Sequence, residues 1–291
     1  MKNYNTLILS GGGIRGFGLL GSLQFLLLNN YLHNIRKFIG TSIGAIVAVF
    51  IIVGYDPTEI IIIFIQRNYF NQLGSYSLIQ AIKGNGFLSF ENFKKILETL
   101  IIEKVGFLPT LEELYNISGK HFICLTFNYT LRKEEIISHE THPTMNIVDA
   151  LRMTSNVPFI FDPFQYEGNI YFDGFLSNNF PINLIQENDI CIAISCVKNE
   201  WKDDIQNHET WKLIWNLLLL PLYQLQAVKN EPFRKQCEII EINLSQYTML
   251  DFKLKPKTML DMFSEGYSKV SEYFPVTEQE SQTQLLHIEN A

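Results

Sequence analysis

Two glycine-flanked segments near the N-terminus contain the residue types of a nucleophilic site. Residues 11–16 read Gly-Gly-Gly-Ile-Arg-Gly between a short apolar run and a long apolar stretch. Residues 40–44 read Gly-Thr-Ser-Ile-Gly, in which small neighbours permit a sharp strand-to-helix turn that exposes the hydroxyl of Ser42. A serine that attacks a carbonyl also needs donors for the oxyanion. The amides of the first segment could supply them if both loops lie at the carboxyl ends of neighbouring strands.

The first segment also satisfies G-x-G-x-x-G, the pattern with which dinucleotide-binding proteins hold a pyrophosphate at a helix N-terminus. That use needs an acidic residue about 20 positions later to bind the ribose hydroxyls. Residues 1–55 contain neither Asp nor Glu. The sequence therefore disfavours a dinucleotide site.

A third segment, residues 171–181, carries an acid. Asp173 follows an apolar strand-like run and precedes Gly174, so it lies at a strand end from which it could reach a serine. An Asp-Gly pair is also a common turn dipeptide. Taken alone, this segment leaves both interpretations open.

Together the three segments resemble the patatin-like phospholipase family. Its pattern is a G-G-G-x-R-G loop, a G-x-S-x-G serine, and a D-G-G/A aspartate that opens a run ending in N-x-P. The resemblance spans roughly residues 5–190, and the stretch 150–163 is similar to the family's segment upstream of the aspartate. The sequence departs from the family pattern at Phe175, where the family usually has a small residue. This difference is expected to affect the shape of the substrate pocket rather than the Ser-Asp pair. The matching positions are Gly11, Gly12, Gly13, Arg15, Gly16, Gly40, Ser42, Gly44, Asp173, Gly174, Asn179 and Pro181.

The resemblance implies a lipid acyl hydrolase of the phospholipase A type. Ser42 would attack an ester carbonyl, Asp173 would accept its proton, and water would hydrolyse the resulting acyl-enzyme. Neither a cofactor nor a metal ion is implied, and the sequence shows no calcium loop or His/Cys cluster with ligand spacing. Gly40 and Gly44 would form the nucleophile elbow. The oxyanion hole would come from Gly11, Gly12, Gly13, Ile14, Arg15 and Gly16.

An aspartate with the ordinary side-chain pKa of about 3.9 is a poor base for a hydroxyl. Such a site must rely on positioning, on burial that raises the pKa of the carboxyl group, and on strong oxyanion stabilisation. Arg15 has two roles of equal weight at this stage. It adds positive potential near the oxyanion or a lipid phosphate, or it braces the loop through carbonyl contacts.

Two alternatives stay open. A Ser-Asp-His esterase needs a histidine beyond the acid, and only His208, in a charged loop, and His287, in a polar tail, lie there. A non-catalytic lipid-binding protein would keep the same fold without turnover. Retention of Ser42 and Asp173 together with the glycine loop argues against it, because a fold alone requires neither side chain.

Composition limits the partners. The chain has 291 residues, and 23 basic against 30 acidic side chains give a net charge of −7, so nucleic acid is not expected. Charged residues make up 18%, below the roughly 25% of an average soluble domain, which suggests a surface covered by lipid or by a second copy in a homo-oligomer. Four cysteines in apolar runs predict buried thiols in a reducing compartment. With only Leu7 to Leu9 as an early apolar run, we expect a cytoplasmic protein, peripheral on membranes.

Alternating strand and helix patterns predict an α/β fold, a three-layer α/β/α sandwich with a largely parallel central sheet. We expect a catalytic domain at 1–200, a helical C-terminal portion of the same domain at 201–275, and a polar tail at 276–291. The uncharged stretch 38–55 fits a strand, a turn and a buried helix better than a membrane span. Residues 213–228 are a lid or lipid contact, or else core or dimer packing. Helices are predicted at 17–32, 43–53, 57–70, 90–104, 111–117, 147–153, 211–228 and 260–273, and strands at 5–9, 37–39, 121–129, 135–138, 170–172, 190–196 and 237–243.

Overall fold

A computed structural model describes residues 2–69, 89–196, 210–249, 251 and 254–274, and only the backbone of 210–216 and 218. Short apolar runs form the strands of a single mixed sheet, with the strand order β5-β6-β3-β2-β1-β7-β8 and β4 paired with β3. The strands are β1 (Thr6–Leu9), β2 (Lys37–Thr41), β3 (His121–Asn128), β4 (Lys133–Ser138), β5 (Phe164–Tyr166), β6 (Asn169–Asp173), β7 (Cys191–Ser195) and β8 (Cys237–Glu241).

The sheet has a parallel and an antiparallel part. Strands β3, β2, β1, β7 and β8 run parallel to one another. Strands β4 and β6 run antiparallel to β3, and β5 runs antiparallel to β6. The predicted α/β fold is therefore confirmed, together with the predicted hairpin of β3 and β4. The antiparallel strands are those that lead to Asp173.

Both faces of the sheet are covered, as a buried parallel sheet requires. Leu7 and Leu9 of β1 belong to the large core on one face, whereas Ile8 belongs to a smaller cluster on the other. Most helices pack on the large-core face, and residues 180–185 help to cover the opposite one. The helices are α1 (Gly16–Leu28), α2 (Ile43–Ile52), α3 (Pro57–Gln66), α4 (Glu91–Val105), α5 (Leu111–Ser118), α6 (Ile147–Thr154), α7 (Thr210–Asn230) and α8 (Pro256–Ser271).

Several predicted boundaries were wrong for local reasons. Helix α1 ends at Leu28 rather than at 32, because Asn30 adopts a left-handed backbone with φ of 61°. Helix α3 ends at Gln66, and Asn68 beyond it has φ of 50°. Helix α7 passes through Pro221, although proline removes one backbone donor. Helix α8 starts earlier than predicted, with Pro256 in its first turn.

The uncharged stretch 38–55 forms β2, a turn and the buried helix α2, as predicted. Among the described residues, no single helix has the length and apolar composition needed to cross a membrane. Helices α2 and α3 pass that test only as a pair bent by 112°. Helices of an ordinary protein core pass it as well, and α2 lies in such a core.

The described part of the C-terminal portion adds to the same sheet and core. Strand β8 pairs with β7, and α8 packs against α1. The division at 200 stays a prediction, and the tail at 276–291 lies outside the described residues. All four cysteines are free thiols, of which Cys124, Cys191 and Cys196 are buried and Cys237 is half-buried.

Candidate active site

The register of β3 brings the serine and the aspartate together. Strand β2 pairs with the first part of β3, where Thr41 lies opposite Leu125. Strand β6 pairs with the last part, where Asp173 lies opposite Thr126. Since β4 occupies one edge of β3 from Ile123 to Asn128, β2 and β6 share the other edge and meet end to end. Residue 42, which follows β2, therefore lies beside the last residue of β6.

Ser42 lies on a strained turn between β2 and α2. Its φ of 55° and ψ of −125° are unusual for a residue other than glycine, as expected of a nucleophile elbow. Its amide donates to Thr154 Oγ1 at 3.0 Å, and that hydroxyl donates to the carbonyl of Leu125 at 2.5 Å. Gly44 is required here because a Cβ would lie 2.4 Å from the carbonyl oxygen of Leu9. The elbow is thus fixed against both β1 and β3.

The hydroxyl of Ser42 donates to Asp173 Oδ2 at 2.6 Å. The second oxygen, Oδ1, accepts from the amide of Phe175 at 2.9 Å. Asp173 is only 1% exposed, and Ser42 is 8% exposed. Burial raises the pKa of Asp173 to about 7, although the hydrogen bonds from Ser42 and Phe175 lower it. The carboxyl group can therefore accept a proton near neutral pH and release it again.

Thr154 and Asn156 hold the pair in place, and no motif in the sequence singles them out. The amide of Asp173 donates to the carbonyl of Asn156 at 2.9 Å, and Asn156 Nδ2 donates to the carbonyl of Tyr171 at 2.8 Å. Both residues lie in the stretch 150–163 that resembles the family segment. The resemblance of this stretch indicates that it belongs near the aspartate, but it does not single out Thr154 or Asn156.

Only part of the predicted oxyanion loop has free donors. The amide of Gly11 donates to Asn179, that of Ile14 to Met249, and those of Arg15 and Gly16 to carbonyls within the loop. The amides of Gly12 and Gly13 donate no hydrogen bond within the described residues. Gly13 also lines the cavity beside Ser42. The geometry narrows the predicted set of donors to these two residues.

The loop is braced from two sides. Asn179 accepts from the amide of Gly11 through its carbonyl at 2.9 Å, and its Nδ2 donates to the Gly11 carbonyl at 3.3 Å. Arg15 is 9% exposed, and its Nε donates to the carbonyl of Tyr247 at 2.9 Å. Of the two roles considered for Arg15, this contact favours bracing. Gly13 has φ of 57°, and a Cβ there would lie 2.2 Å from the Met249 carbonyl oxygen, so a side chain is excluded.

An apolar cavity opens beside Ser42 and holds about 820 Å³ of empty space, its open mouth included. Phe175, the departure from the family pattern, is not among the described residues that line it. Its amide contributes to the site instead. The cavity walls include Phe17, Leu20, Ile46, Phe50, Phe64, Phe93 and Phe161.

No histidine of the described ranges is hydrogen-bonded to Ser42 or Asp173. His208 and His287, which the esterase alternative requires, lie outside the described residues. In the structure, Ser42 and Asp173 contact each other directly through the 2.6 Å hydrogen bond.

A mixed α/β sheet with a glycine loop, an elbow serine and a buried aspartate at its strand ends defines the patatin class of folds. The patatin-like phospholipase family matches residues 7–185, more than half of the chain. The chain belongs to this family, a family of lipid hydrolases.

Two viral relatives are similar over much of their length. A protein of Invertebrate iridescent virus 6, named "Probable lipid hydrolase 463L", is 34% identical over 278 residues, covering 93% of this chain and 89% of the relative. The uncharacterized protein R571 of Acanthamoeba polyphaga mimivirus is 31% identical over 210 residues, covering 68% and 67%.

Solved structures share the fold at low sequence identity. VipD from Legionella pneumophila matches with a TM-score of 0.56 and 16% identity, over 93% of this chain and 66% of that chain. ExoU of the Pseudomonas aeruginosa type III secretion system, in its complex with SpcU, matches with a TM-score of 0.53 and 15% identity. This chain spans only 51% of that ExoU chain. These likenesses concern the fold alone.

Proposed function

We propose that the protein is a phospholipase A-type lipid acyl hydrolase that works through a Ser42–Asp173 dyad and an acyl-enzyme. The observation that carries the proposal is the 2.6 Å hydrogen bond from the Ser42 hydroxyl to the buried Asp173 carboxylate. The name of the iridescent virus relative supports lipid as the substrate class.

The reaction balances with the groups present. Ser42 Oγ attacks the carbonyl carbon of the ester, and its proton passes to Asp173 Oδ2. The carbonyl oxygen becomes an oxyanion, which the free amides of Gly12 and Gly13 stabilise. Collapse of this intermediate breaks the bond to the alcohol, which leaves with the proton from Asp173. A water molecule then attacks the acyl carbon and gives a proton to Asp173. The bond from the acyl carbon to Ser42 Oγ breaks, Ser42 regains the proton from Asp173, and the fatty acid is released.

Burial makes the aspartate a usable base. A carboxyl with a pKa of about 7 transfers protons far more readily to and from a serine near neutral pH than one at its ordinary value of 3.8. The strained turn at Ser42 also contributes, because it directs the serine hydroxyl toward the Asp173 carboxylate, its general base. We assign the acyl chain of the substrate to the apolar cavity, because an apolar chain bound there would remove the apolar cavity walls from contact with water.

We also propose that α7 contacts the lipid surface. Its C-terminal half is attached to the segment after Asp173, since Gln226 Nε2 donates to the Phe175 carbonyl at 2.9 Å. Lys229 Nζ likewise lies 3.4 Å from the Ser177 carbonyl. The helix exposes an apolar stripe near the site, namely Leu217, Leu220, Pro221, Leu225 and Val228. Such a stripe fits a peripheral protein that draws its substrate from a membrane or micelle.

A fluorophosphonate probe tests the dyad, because it labels only an activated serine. Wild type should be labelled at Ser42, and Ser42→Ala should be silent. Asp173→Asn keeps the shape but removes the base, so labelling and hydrolysis of a short-chain ester should fall by roughly 10² to 10⁴. Ser155→Ala is the matched control, since this serine also lines the cavity but donates to the Leu151 carbonyl at 2.6 Å.

The alternatives are separate outcomes of the same assay. If His208→Ala or His287→Ala loses activity as completely as Asp173→Asn, the protein uses a Ser-Asp-His triad and the dyad is wrong. If folded wild type neither labels nor hydrolyses any ester, the protein is a non-catalytic lipid-binding member of the fold.

A further inference from the structure

A second cluster of chemistry-bearing side chains lies at the other end of β3. His121 begins this strand, and His139 and Glu140 directly follow β4. Because Ile123 lies opposite Ser138 in the antiparallel register, residues 121 and 140 come together at the open end of the hairpin. One ligand atom from each of the three side chains lies within 4.8 Å of the others. We propose that His121, His139 and Glu140 bind a divalent transition-metal ion, with zinc as the best fit.

The imidazoles are held in place by ring packing. The ring of Tyr115 stacks on His139 with centroids 4.1 Å apart and planes 8° apart. The ring of His121 lies 4.9 Å from that of His139 and 4.7 Å from that of Tyr115. Preorganised ligand rings reduce the entropy lost when a metal binds.

A buried polar atom of the cluster lacks a partner. Nδ1 of His139 is shielded from solvent and makes no hydrogen bond within the described residues. A buried nitrogen without a partner costs free energy, and buried unsatisfied groups are rare in native proteins. An ion bound at this cluster could be coordinated by Nδ1 itself. If it is instead coordinated by Nε2, it fixes the proton on Nδ1.

Two imidazoles and a carboxylate are a ligand set typical of zinc. Tetrahedral zinc with bonds of roughly 2.0 to 2.2 Å places its ligand atoms about 3.4 Å apart, so a separation of 4.8 Å in the cluster would have to contract by about 1.4 Å. Glu140 is exposed and can supply most of that movement. A fourth position would be open to water. The nearby ammonium of Lys37 is compensated, because it pairs with Asp189 at 2.8 Å.

The position assigns a structural role to the ion. Thr126, the partner of Asp173, lies five positions after His121 along β3, which corresponds to about 17 Å. The ion would join the start of β3 to the segment that leads from β4 into α6. That helix ends at Thr154, which holds the Ser42 amide. Metal binding should therefore stabilise the fold without taking part in ester hydrolysis.

Calorimetric titration of the tag-free, EDTA-treated full chain with zinc chloride tests the site. We expect saturable binding of one ion per chain. His139→Gln, His121→Gln and Glu140→Gln should each weaken the affinity at least about tenfold. His142→Gln is the matched control, since this histidine lies in the same turn but faces Glu135 and Thr141, and it should bind like wild type.

Thermal unfolding supplies a second readout. Zinc at about 100 times its dissociation constant should raise the Tm of wild type by a few degrees, and the Tm of His139→Gln should not respond. Glu140 is exposed, so Glu140→Gln keeps the test valid if a histidine variant fails to fold. Absence of saturable binding to folded wild type overturns the proposal. The proposal is also overturned if Glu140→Gln binds zinc with unchanged affinity, or if His142→Gln loses zinc binding.

Discussion

The ionisation of Asp173 should set the pH dependence of the enzyme. Burial raises the pKa of this carboxyl from 3.8 to about 7. Only the ionised form can accept the serine proton, so kcat/KM should rise with pH and level off above about 8. With a pKa of 7, roughly 1% of the carboxyl groups are ionised at pH 5, and the rate there should be about a hundredfold below the plateau. With the ordinary pKa, the change over the same range would be less than about 10%.

The assay is the hydrolysis of 4-nitrophenyl butyrate between pH 5 and 9, followed at the isosbestic wavelength of the product. Fluorophosphonate labelling of Ser42 in the same buffers should follow the same curve, because it depends on the same base. Circular dichroism at pH 5 checks that the protein stays folded. A flat profile between pH 5 and 8, in folded protein, would refute the raised pKa of Asp173 and with it this account of the base.

The same shift has a consequence for stability. A carboxyl whose pKa is raised on folding stabilises the fold fully below pH 3.8, and this contribution is lost as the pH rises through about 7. Asp173→Asn cannot ionise, so its free energy of unfolding relative to wild type should increase between pH 5 and pH 8. The shift of about three pKa units sets an upper limit of about 4 kcal/mol for the full effect. The measurement is chemical denaturation of both proteins at several pH values. If the difference in their free energies of unfolding does not change with pH, the raised pKa of Asp173 is wrong.

Three further expectations concern the same site. Thr154→Val removes the acceptor for the Ser42 amide and should lower kcat at least about tenfold with little change in KM on a soluble ester, whereas unchanged kcat would show that Thr154 does not position the serine. EDTA should leave hydrolysis intact, and a loss that only calcium restores would count against metal-independent chemistry. Leu217→Gln with Leu220→Gln should weaken liposome binding but spare the soluble ester. The pair Leu27→Gln with Leu28→Gln, also exposed but at the far end of α1, should change neither; equal loss on both substrates would mean that Leu217 and Leu220 support the fold rather than contact lipid.

The resemblance of three ordered motifs to one family predicted the main pair, and in the structure the serine and aspartate motifs lie at the ends of strands. Ser42 follows β2 and Asp173 ends β6, but β6 runs antiparallel to β3, so the rule that parallel strands bring their carboxyl ends together does not by itself place the acid beside the serine. The small neighbours of Ser42 predicted a turn, and the structure has one there. The order of the strands was not needed for this conclusion.

Contacts that depend on strand register could not be predicted in the same way. Thr154 reaches Ser42 across 112 positions of sequence, and no spacing rule signals such a contact. His121 and His139 are separated by a whole hairpin, so no ligand spacing in the sequence indicates that they lie together. In the observed register residue 140 falls opposite residue 121, and a shift of one residue would change which side chain of the following turn meets His121.

The glycine loop shows why its motif alone does not define an oxyanion hole. Four of its six amides are already engaged, and which ones are engaged depends on residues far along the chain. The carbonyls of Tyr247 and Met249 accept from Arg15 and Ile14, and both lie beyond residue 185, where the family match ends. Within the part of the chain that the structure describes, Gly12 and Gly13 are the loop residues whose amides donate no hydrogen bond. The donor set of the proposed reaction is therefore a property of the folded chain, including its C-terminal portion.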